Sequence, residues 1–383
     1  MTNLPAFGGV TDSAFAPVRD VFLANFQSDA AFPELGAAVS VHVGGRCVVD
    51  LWGGVADAAS GRPWGPDTLV NVWSTTKGVM ALVVAALVDD GLLSYVAPVA
   101  RYWPEFAAAG KETATVGEVL SHQVGLNGFE EETTVEDFGD WDLVTARLAR
   151  QAPFWAPGSD TSYHAMTFGF LAGEIARRVT GKMPRDLIAD LIARPLKLDL
   201  QLGVAPQDWS RVAPLVPPPD PTESVEIDPI ALRGVINPGL SGDVANRPEW
   251  RTAQIPAGNG HATARSLSRL WGAVANAGRL ADVQLLSSEA IERLQAVRSD
   301  RPDRLLGPGG WGAGVMINRE GLFGPGPRAF GHCGWGGSFG YADPELGVGV
   351  GYTPNRMFGS VLHDPRGVAL GEVIAECAAR AGA

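Results

Sequence analysis

Residues 70–88 read VNVWSTTKGVMALVVAALV, and this stretch decides the fold. An extended run over 70–73 passes directly into a segment whose apolar side chains surround a helix over 74–87 almost completely. A helix that is apolar on all sides has to be buried. The sequence Asp89-Asp90-Gly91 predicts its end, because glycine suits the left-handed position after a helix.

Ser74 and Lys77 stand at the start of this helix, three residues apart. That spacing puts the hydroxyl and the amine on one helical face, within reach of each other. Serine is a weak nucleophile until a base takes its proton, and lysine becomes such a base when burial and positive potential at a helix N-terminus lower its pKa. The pattern indicates an activated serine. A serine that only caps the helix, beside a solvated lysine, is the alternative.

Strand signals occupy both ends of the chain. Near the N-terminus, helical spacing of Phe15, Val18, Phe22 and Phe26 precedes two β-rich runs, 37–43 and 47–52, separated by two glycines. After Gly309 the pattern predicts four strands and a final helix, over 312–317, 329–332, 338–342, 346–352 and 366–380. These signals indicate one antiparallel sheet assembled from both termini.

The middle of the chain is predicted to be helical, over 115–120, 168–179, 186–193 and 263–277. Thr115 and Glu118 form a capping-box signature, while Gly181 and Pro195 are expected to end the second and third helices. Prolines crowd the segment 203–256, notably at 217–219 and 221. We expect this segment to be ordered but irregular.

Composition excludes several classes of protein. The 383 residues are 46% hydrophobic and 19% charged, which excludes a disordered or fibrous chain. The net charge of −12 offers no electrostatic attraction to phosphate backbones or anionic lipids. We therefore expect a small-molecule substrate and neither nucleic acid nor membrane as a partner.

Cysteine usage and the first residues predict a cytoplasmic protein. Cys47, Cys333 and Cys377 are odd in number and lack the spacing of metal ligands, as expected for reduced thiols. Residues 1–9 lack the basic start, apolar core and cleavage site of a signal peptide. The longest apolar run, 79–88, is about half as long as a membrane span requires.

Further landmarks follow the Ser74 motif in order. They are LSHQVGL at 120–126, YHA at 163–165, PL at 195–196, GNGH at 258–261 and HCGWGG at 332–337. Together they resemble the serine β-lactamase and penicillin-binding-protein superfamily, specifically the class C-like branch that contains the family VIII carboxylesterases. The resemblance implies a β-lactamase/transpeptidase-like α/β (α+β) fold. In that fold an antiparallel sheet is flanked by helices and carries an inserted, mostly helical domain.

The resemblance also implies boundaries and catalytic roles. We expect the α/β domain to comprise 1–72 and 256–383, and the helical domain 73–255 to begin with the nucleophile helix. Ser74 is the expected nucleophile and Lys77 its first proton partner. Tyr163 is expected to share that proton and to deliver it to the leaving group. The resemblance leaves open whether Lys77 or Tyr163 is the dominant base. The amides of Ser74 and Trp335 are expected to form the oxyanion hole.

Four residues are expected to contact the substrate. His332 begins the segment that replaces the Lys-Thr-Gly of the superfamily, Gly334 and Gly336 let the backbone approach the substrate, and Gln123 belongs to the 120–126 landmark. For His332 a simple loop position is the alternative. Four aromatic residues form either an apolar acyl pocket or ordinary core packing, namely Phe129, Phe154, Trp155 and Trp311.

A second serine motif, GGSFG at 336–340, matches the nucleophile elbow of α/β-hydrolases. In that fold a helix follows the serine, whereas here strand signals follow it. Ser338 is therefore not the expected nucleophile.

Two departures from the superfamily pattern indicate the reaction. Ala165 stands where an asparagine would bind the side-chain amide of a β-lactam, and His332 stands where a lysine would hold its carboxylate. Each lost hydrogen bond to a charged group sacrifices about 1.5 to 3 kcal/mol. The sequence predicts a serine carboxylesterase for small, short-chain esters, without metal or organic cofactor. A β-lactamase or D,D-peptidase on the same site, or a non-catalytic binding protein of this fold, are the alternatives.

Overall fold

The computed structural model describes residues 7–218 and 227–382. Their strands are β1 (Phe7–Thr11), β2 (Gly36–Val43), β3 (Arg46–Asp57), β4 (Arg62–Pro63), β5 (Leu69–Asn71), β6 (Leu200–Leu202), β7 (Val212–Ala213), β8 (Gly260–Ala262), β9 (Arg279–Leu280), β10 (Val283–Gln284), β11 (Met316–Ile317), β12 (Phe330–Cys333), β13 (Phe339–Asp343) and β14 (Val348–Pro354).

Their α-helices are α1 (Ala16–Ala24), α2 (Thr75–Asp89), α3 (Val116–Leu120), α4 (Trp141–Arg150), α5 (Thr167–Thr180), α6 (Pro184–Leu187), α7 (Arg194–Leu196), α8 (Pro229–Ile236), α9 (Pro248–Thr252), α10 (Ala264–Ala275), α11 (Ser288–Gln295) and α12 (Pro365–Gly382). A π-helical segment, Ile188–Ala193, joins α6 to α7. Short 3₁₀-helices cover Ser13–Phe15, Val99–Arg101, Pro104–Gly110, Glu136–Gly139, Pro206–Arg211 and Gly242–Asn246.

The main sheet is antiparallel and runs in the order β1-β3-β2-β14-β13-β12-β11, with β4 added beside β3. The hairpin β2–β3 comes from the N-terminal part of the chain and pairs through β2 with β14, where Val39 lies opposite Tyr352. This confirms the predicted sheet built from both ends. A smaller sheet, in the order β6-β8-β5-β7, lies at the start of α2. The domain boundaries at 72/73 and 255/256 stay a prediction.

Alternation along β14 explains how helices cover both faces of the main sheet. Val348, Val350 and Tyr352 belong to the core that contains residues of α1 and α12. Gly349 and Gly351 point the other way, toward α10. A Cβ atom added to Gly349 would lie 2.0 Å from the backbone nitrogen of Gly272 in α10. Glycine at these positions therefore lets the helix rest directly on the strand.

Gly349→Ala is expected to destabilise the protein by about 3 kcal/mol, since neither the strand nor the helix backbone can yield as a flexible side chain would. Urea unfolding of the purified protein measures this change. Gly309→Ala is the control, because a Cβ atom there has no neighbour within 4 Å. It should shift stability by no more than about 0.5 kcal/mol. Equal unfolding midpoints for the two variants would contradict the packing argument.

The sequence signals for the start of α3 and the end of α5 are confirmed. The Thr115 hydroxyl accepts the amide of Glu118 at 3.2 Å, and the Glu118 carboxylate accepts the amide of Thr115 at 2.7 Å. This is the expected capping box of α3. Gly181 ends α5 with a φ of 72°, in the left-handed conformation. The all-round burial of α2, where Thr75 to Val88 are buried, is confirmed as well.

Three predictions of local structure were wrong in part. The helix predicted to stop before Pro195 continues to Leu196, with Pro195 in the first turn of α7, where its missing N–H costs little. Only Met316–Ile317 of the predicted strand 312–317 pairs with a neighbour. The segment 203–256 contains α8 and α9, which both begin with a proline, a residue whose missing N–H costs nothing at the first helical position.

Two sequence predictions fall on positions outside the described residues. They are the prolines at 219 and 221 and most of the N-terminal segment, residues 1–6.

The described part of the chain contains no helix whose length and apolar character would let it cross a membrane.

Candidate active site

A sharp turn between β5 and α2 presents Ser74. The residue before it, Trp73, has a φ of 44°, a left-handed conformation that is uncommon for a bulky side chain. The Asn71 side-chain oxygen accepts the Trp73 amide at 3.0 Å and so holds the turn. Outliers of this kind persist where the surroundings enforce them, often at functional sites. The turn places Ser74 at the wall of a cavity while α2 runs back into the core.

The Lys77 amine donates to the Ser74 hydroxyl at 2.9 Å and to the Ala257 carbonyl at 2.8 Å. Lys77 has no exposed surface, and burial lowers its pKa well below the usual value of 10.5. The solvated lysine of the alternative interpretation is therefore wrong. The Ser74 hydroxyl also makes no capping bond to the helix among the described residues. Sequence reasoning missed the Ala257 carbonyl, because a backbone acceptor leaves no signal in a side-chain motif.

Tyr163 lies next to the Ser74–Lys77 pair. The Lys77 amine lies 4.8 Å from the centre of the Tyr163 ring. Burial raises the pKa of the phenol, and the nearby Ser74 hydroxyl offsets part of that rise. No group in the described ranges forms a hydrogen bond with the phenol oxygen. The phenol oxygen is itself buried, and its hydrogen-bonding capacity is unused beside Ser74.

Tyr163 is held by Asp303, which the sequence did not identify, and by Trp311, which the sequence suggested only for an acyl pocket or core packing. The Asp303 carboxylate accepts the amide of Tyr163 at 3.1 Å and the indole N–H of Trp311 at 3.2 Å. The Trp311 ring stacks on the Tyr163 ring, with centres 5.7 Å apart and planes within 9°. Because Asp303 is 140 residues away along the chain, no local pattern could have connected it with Tyr163.

The backbone of Trp335 lies near the same turn. Trp335 and Ser74 both line the cavity, and the Trp335 and Trp73 rings have their centres 5.1 Å apart. Within 7–218 and 227–382, neither the Ser74 amide nor the Trp335 amide donates to an acceptor of the protein. The carbonyl of the next residue, Gly336, accepts the Phe358 amide at 3.1 Å and the Arg366 guanidinium at 3.2 Å. Two free amides at a serine hydroxyl are the arrangement that an oxyanion formed there would need.

His332 was expected to contact the substrate, but it lies behind the cavity wall without exposed surface. Its Nδ1 is 2.7 Å from the Cys333 carbonyl, which can only accept, so this nitrogen carries the proton. Burial, together with the nearby Lys77, lowers the pKa of His332 to about 3. The ring is therefore neutral, unlike the lysine that it replaces.

Three other residues expected to contact the substrate also lie off the cavity wall. The Gln123 side-chain amide is already used, donating to the Ser121 hydroxyl at 2.7 Å and to the Arg298 carbonyl at 3.2 Å. Gly334 packs against Val72, and Gly336 packs against Met357. Of residues 332–337, only Trp335 lines the cavity.

The cavity has a volume of about 560 Å³ and a largely apolar wall. Much of the wall comes from irregular or terminal segments, at 234–240, 304–306 and 359–361. Its charged members include Arg304 and Asp228, which pair with each other at 2.9 Å. The aromatic residues considered from the sequence for an acyl pocket are not part of this wall. Leu305, Val235, Leu240 and Met166 contribute instead.

Comparison with known proteins gives a consistent result. The chain matches the family described as Beta-lactamase over residues 28–372. It is 39% identical to the Esterase/beta-lactamase LipL of Mycobacterium tuberculosis (strain ATCC 25618 / H37Rv) over 389 aligned residues, which cover 97% of this chain and 89% of LipL.

Two solved structures are similar over nearly the whole chain. One is described as a family VIII carboxylesterase and has a TM-score of 0.92 with 42% identity, covering 97% of this chain and 100% of the other. The second is described as a novel penicillin-binding protein homologue from Caulobacter crescentus. It has a TM-score of 0.89 with 42% identity and covers the same shares of the two chains.

Proposed function

Because the chain belongs to the beta-lactamase family, we propose that it is a serine carboxylesterase that works through an acyl-enzyme on Ser74. Similar proteins at 39% and 42% identity carry the names esterase and carboxylesterase. The observation that carries the mechanism is the 2.9 Å hydrogen bond between the buried Lys77 amine and the Ser74 hydroxyl at the cavity wall. Such a pair joins a nucleophile to its base.

Acylation begins from a neutral amine and a neutral phenol, the forms that the pKa shifts of Lys77 and Tyr163 favour. The Ser74 oxygen attacks the ester carbonyl while its proton passes to the Lys77 amine. The amides of Ser74 and Trp335 stabilise the resulting oxyanion. As the intermediate collapses, Tyr163 gives its proton to the departing alkoxide and regains one from Lys77. The products of this step are an alcohol and the Ser74 ester.

Deacylation repeats these steps with water. The water loses a proton to the Lys77 and Tyr163 pair and attacks the Ser74 ester, and the same two amides hold the second oxyanion. Collapse returns the proton to Ser74 and releases the carboxylic acid. No step needs a metal or an organic cofactor.

The site is suited to small, uncharged, short-chain esters. Ala165 lines the cavity but offers no amide, and His332 is neutral and lies behind the wall. Arg304 and Asp228 neutralise each other. A substrate carboxylate therefore finds no free cation at the positions where the superfamily pattern supplies one.

We expect kcat/KM for p-nitrophenyl butyrate to exceed that for a chromogenic cephalosporin by at least about 30-fold, because one contact to a neutral amide, worth about 0.5 to 1.5 kcal/mol, and one contact to a carboxylate, worth about 1.5 to 3 kcal/mol, are absent. Parallel steady-state assays on one preparation measure the ratio. Faster turnover of the cephalosporin would overturn this ranking in favour of a β-lactamase or D,D-peptidase. Failure to hydrolyse either compound, with no covalent labelling of Ser74 by a fluorophosphonate, would instead support a binding protein.

We also propose a cytoplasmic location and no nucleic-acid partner. The three cysteines are free thiols, and the net charge is −12. Free thiols persist in a reducing compartment, and the acidic balance disfavours binding to nucleic acid.

A further inference from the structure

Ser338, the serine of the GGSFG motif, contacts the polypeptide on both sides of the nucleophile. It lies just before β13 and is 3% exposed. Its hydroxyl donates to the Val72 carbonyl at 2.8 Å and lies 3.1 Å from the Thr75 hydroxyl. Val72 and Thr75 bracket the turn that contains Trp73 and Ser74. One hydroxyl thus joins the entrance and the exit of this turn.

The directions of these hydrogen bonds follow from the number of available protons. The Ser338 hydroxyl has one proton and gives it to the Val72 carbonyl, which can only accept. The Thr75 hydroxyl must therefore donate to the Ser338 oxygen. The three groups form a chain with one arrangement of protons, which fixes its geometry more firmly than interchangeable partners would.

Ser338 also closes the loop that carries the other oxyanion donor. Its carbonyl accepts the Gly334 amide at 2.7 Å, and the Gly334 carbonyl accepts the Gly337 amide at 3.1 Å. A Cβ atom on Gly334 would lie 2.3 Å from both the Ser338 hydroxyl oxygen and the Val72 carbonyl oxygen. The loop around Trp335 therefore touches the nucleophile turn at the point where the Ser338 hydroxyl lies.

We propose that Ser338 is a positioning residue that holds the Ser74 amide and the Trp335 amide at the separation an oxyanion requires. The two donors belong to segments more than 250 residues apart, and Ser338 bonds to both segments, through its side chain to one and through its backbone to the other. This inference rests on the proposed function, because the oxyanion arises only if Ser74 is acylated.

The expected effect is a loss of rate without a loss of binding. Oxyanion donors act only when they lie near the position of the developing charge, and a displacement of about 1 Å reduces rates by up to about 100-fold. Ester binding in the apolar cavity does not depend on that alignment. We therefore expect Ser338→Ala to lower kcat for p-nitrophenyl butyrate by about 10- to 100-fold, with KM changed by less than about 3-fold.

Ser268→Ala is the matched control. Ser268 is a buried serine on α10 that donates to the Ser40 hydroxyl at 2.8 Å, in a hydroxyl cluster that does not line the cavity. The Ser268→Ala variant should lose about as much thermal stability as Ser338→Ala and should keep the kcat of the parent. An unchanged kcat in Ser338→Ala, or an equal loss of kcat in Ser268→Ala, would overturn the proposal.

Substitutions at Thr75 keep the test decisive if Ser338→Ala does not fold. Thr75→Val preserves the shape of the side chain and removes the donor to Ser338, whereas Thr75→Ser retains the hydroxyl and removes only a methyl group. We expect the valine variant to reproduce the loss of kcat and the serine variant to restore kcat to within about 3-fold of the parent. A parent-like kcat in Thr75→Val would contradict the proposed chain of hydroxyls.

Phosphonylation by a fluorophosphonate separates this proposal from the proposed function, because the reagent needs the oxyanion donors but no natural substrate. Ser74 in the parent protein should be labelled, and the rate constant should fall about 10-fold or more in Ser338→Ala. If the parent is neither labelled nor active, the proposed function fails. If both proteins are labelled at equal rates, or if the adduct forms on Ser338, the positioning role is wrong.

Discussion

Ser74→Ala is expected to lower kcat/KM for p-nitrophenyl butyrate by at least about 10⁴-fold, since it removes the atom that we propose forms the acyl-enzyme. Ser338 cannot replace it, because its proton is committed to the Val72 carbonyl and its side chain does not line the cavity. The remaining rate should reflect binding and the oxyanion donors alone. Steady-state kinetics measure the loss, and mass spectrometry after fluorophosphonate treatment should find no adduct on the variant.

The control for this variant is Ser40→Ala. Ser40 is a buried serine of β2 whose hydroxyl donates to the Val49 carbonyl at 3.0 Å. It should keep parent-like activity and parent-like labelling of Ser74. Residual activity in Ser74→Ala above about 1% of the parent, with an adduct on another serine, would show that the nucleophile is assigned incorrectly.

Lys77→Met is expected to lower kcat/KM by about 10³- to 10⁴-fold, because methionine fills the same space but cannot take the Ser74 proton. The pH profile distinguishes this from simple loss of packing. In the parent, activity should rise as Lys77 loses its proton, and burial brings that rise below the usual lysine pKa of 10.5. The residual activity of the variant should lack this rise. A parent-like pH profile in Lys77→Met would assign the titration to another group.

The same substitution has a stability signature with a defined sign. Since the pKa of Lys77 is lower in the folded protein than in the unfolded chain, the unfolded chain binds more protons between those two values. Stability therefore rises with pH in that window. From pH 7 to pH 9 the unfolding free energy of the parent should increase relative to that of Lys77→Met. Equal changes in the two proteins would contradict a neutral Lys77 in the folded state.

Lys111→Met is the matched control for the kinetic measurement. Lys111 is a second buried lysine, whose amine donates to the Ala108 carbonyl at 2.7 Å and to the Gln151 carbonyl at 2.5 Å. Burial lowers the pKa of Lys111 to about 8. Its replacement should reduce stability by leaving two carbonyls without their donor, but kcat should remain close to that of the parent.

The parts of the fold that were predicted from the sequence depend on local rules. The helix predicted over 74–87 is α2, Thr75–Asp89, because an all-round apolar segment with a glycine stop has few alternatives. The predicted strands 338–342 and 346–352 correspond closely to β13 and β14. The chain departs from the prediction at the π-helical segment and at α8 and α9. Prolines occur there in the first turn of a helix, where the missing N–H costs little. Composition does not reveal the position of a proline within a helix.

Within the site, too, local contacts could be predicted from the sequence, whereas contacts between distant segments could not. The spacing of Ser74 and Lys77 is a local property of a helix, so their contact could be expected from the sequence. The bond between Asp303 and the Tyr163 amide depends on how distant segments meet, and no periodicity encodes that. Gln123 was misplaced for the same reason, since its amide is taken by the Arg298 carbonyl, 175 residues away.

The cavity wall and the Ser74–Lys77 pair come from different kinds of structure, so substitutions can change one without changing the other. Ser74 immediately precedes a buried helix that contains Lys77, whereas the segments 304–306 and 359–361 of the cavity wall lie outside α-helices and β-strands. Surface connections tolerate replacement better than core elements do. Selection can therefore reshape the choice of substrate at the rim while the bond-making centre is inherited unchanged.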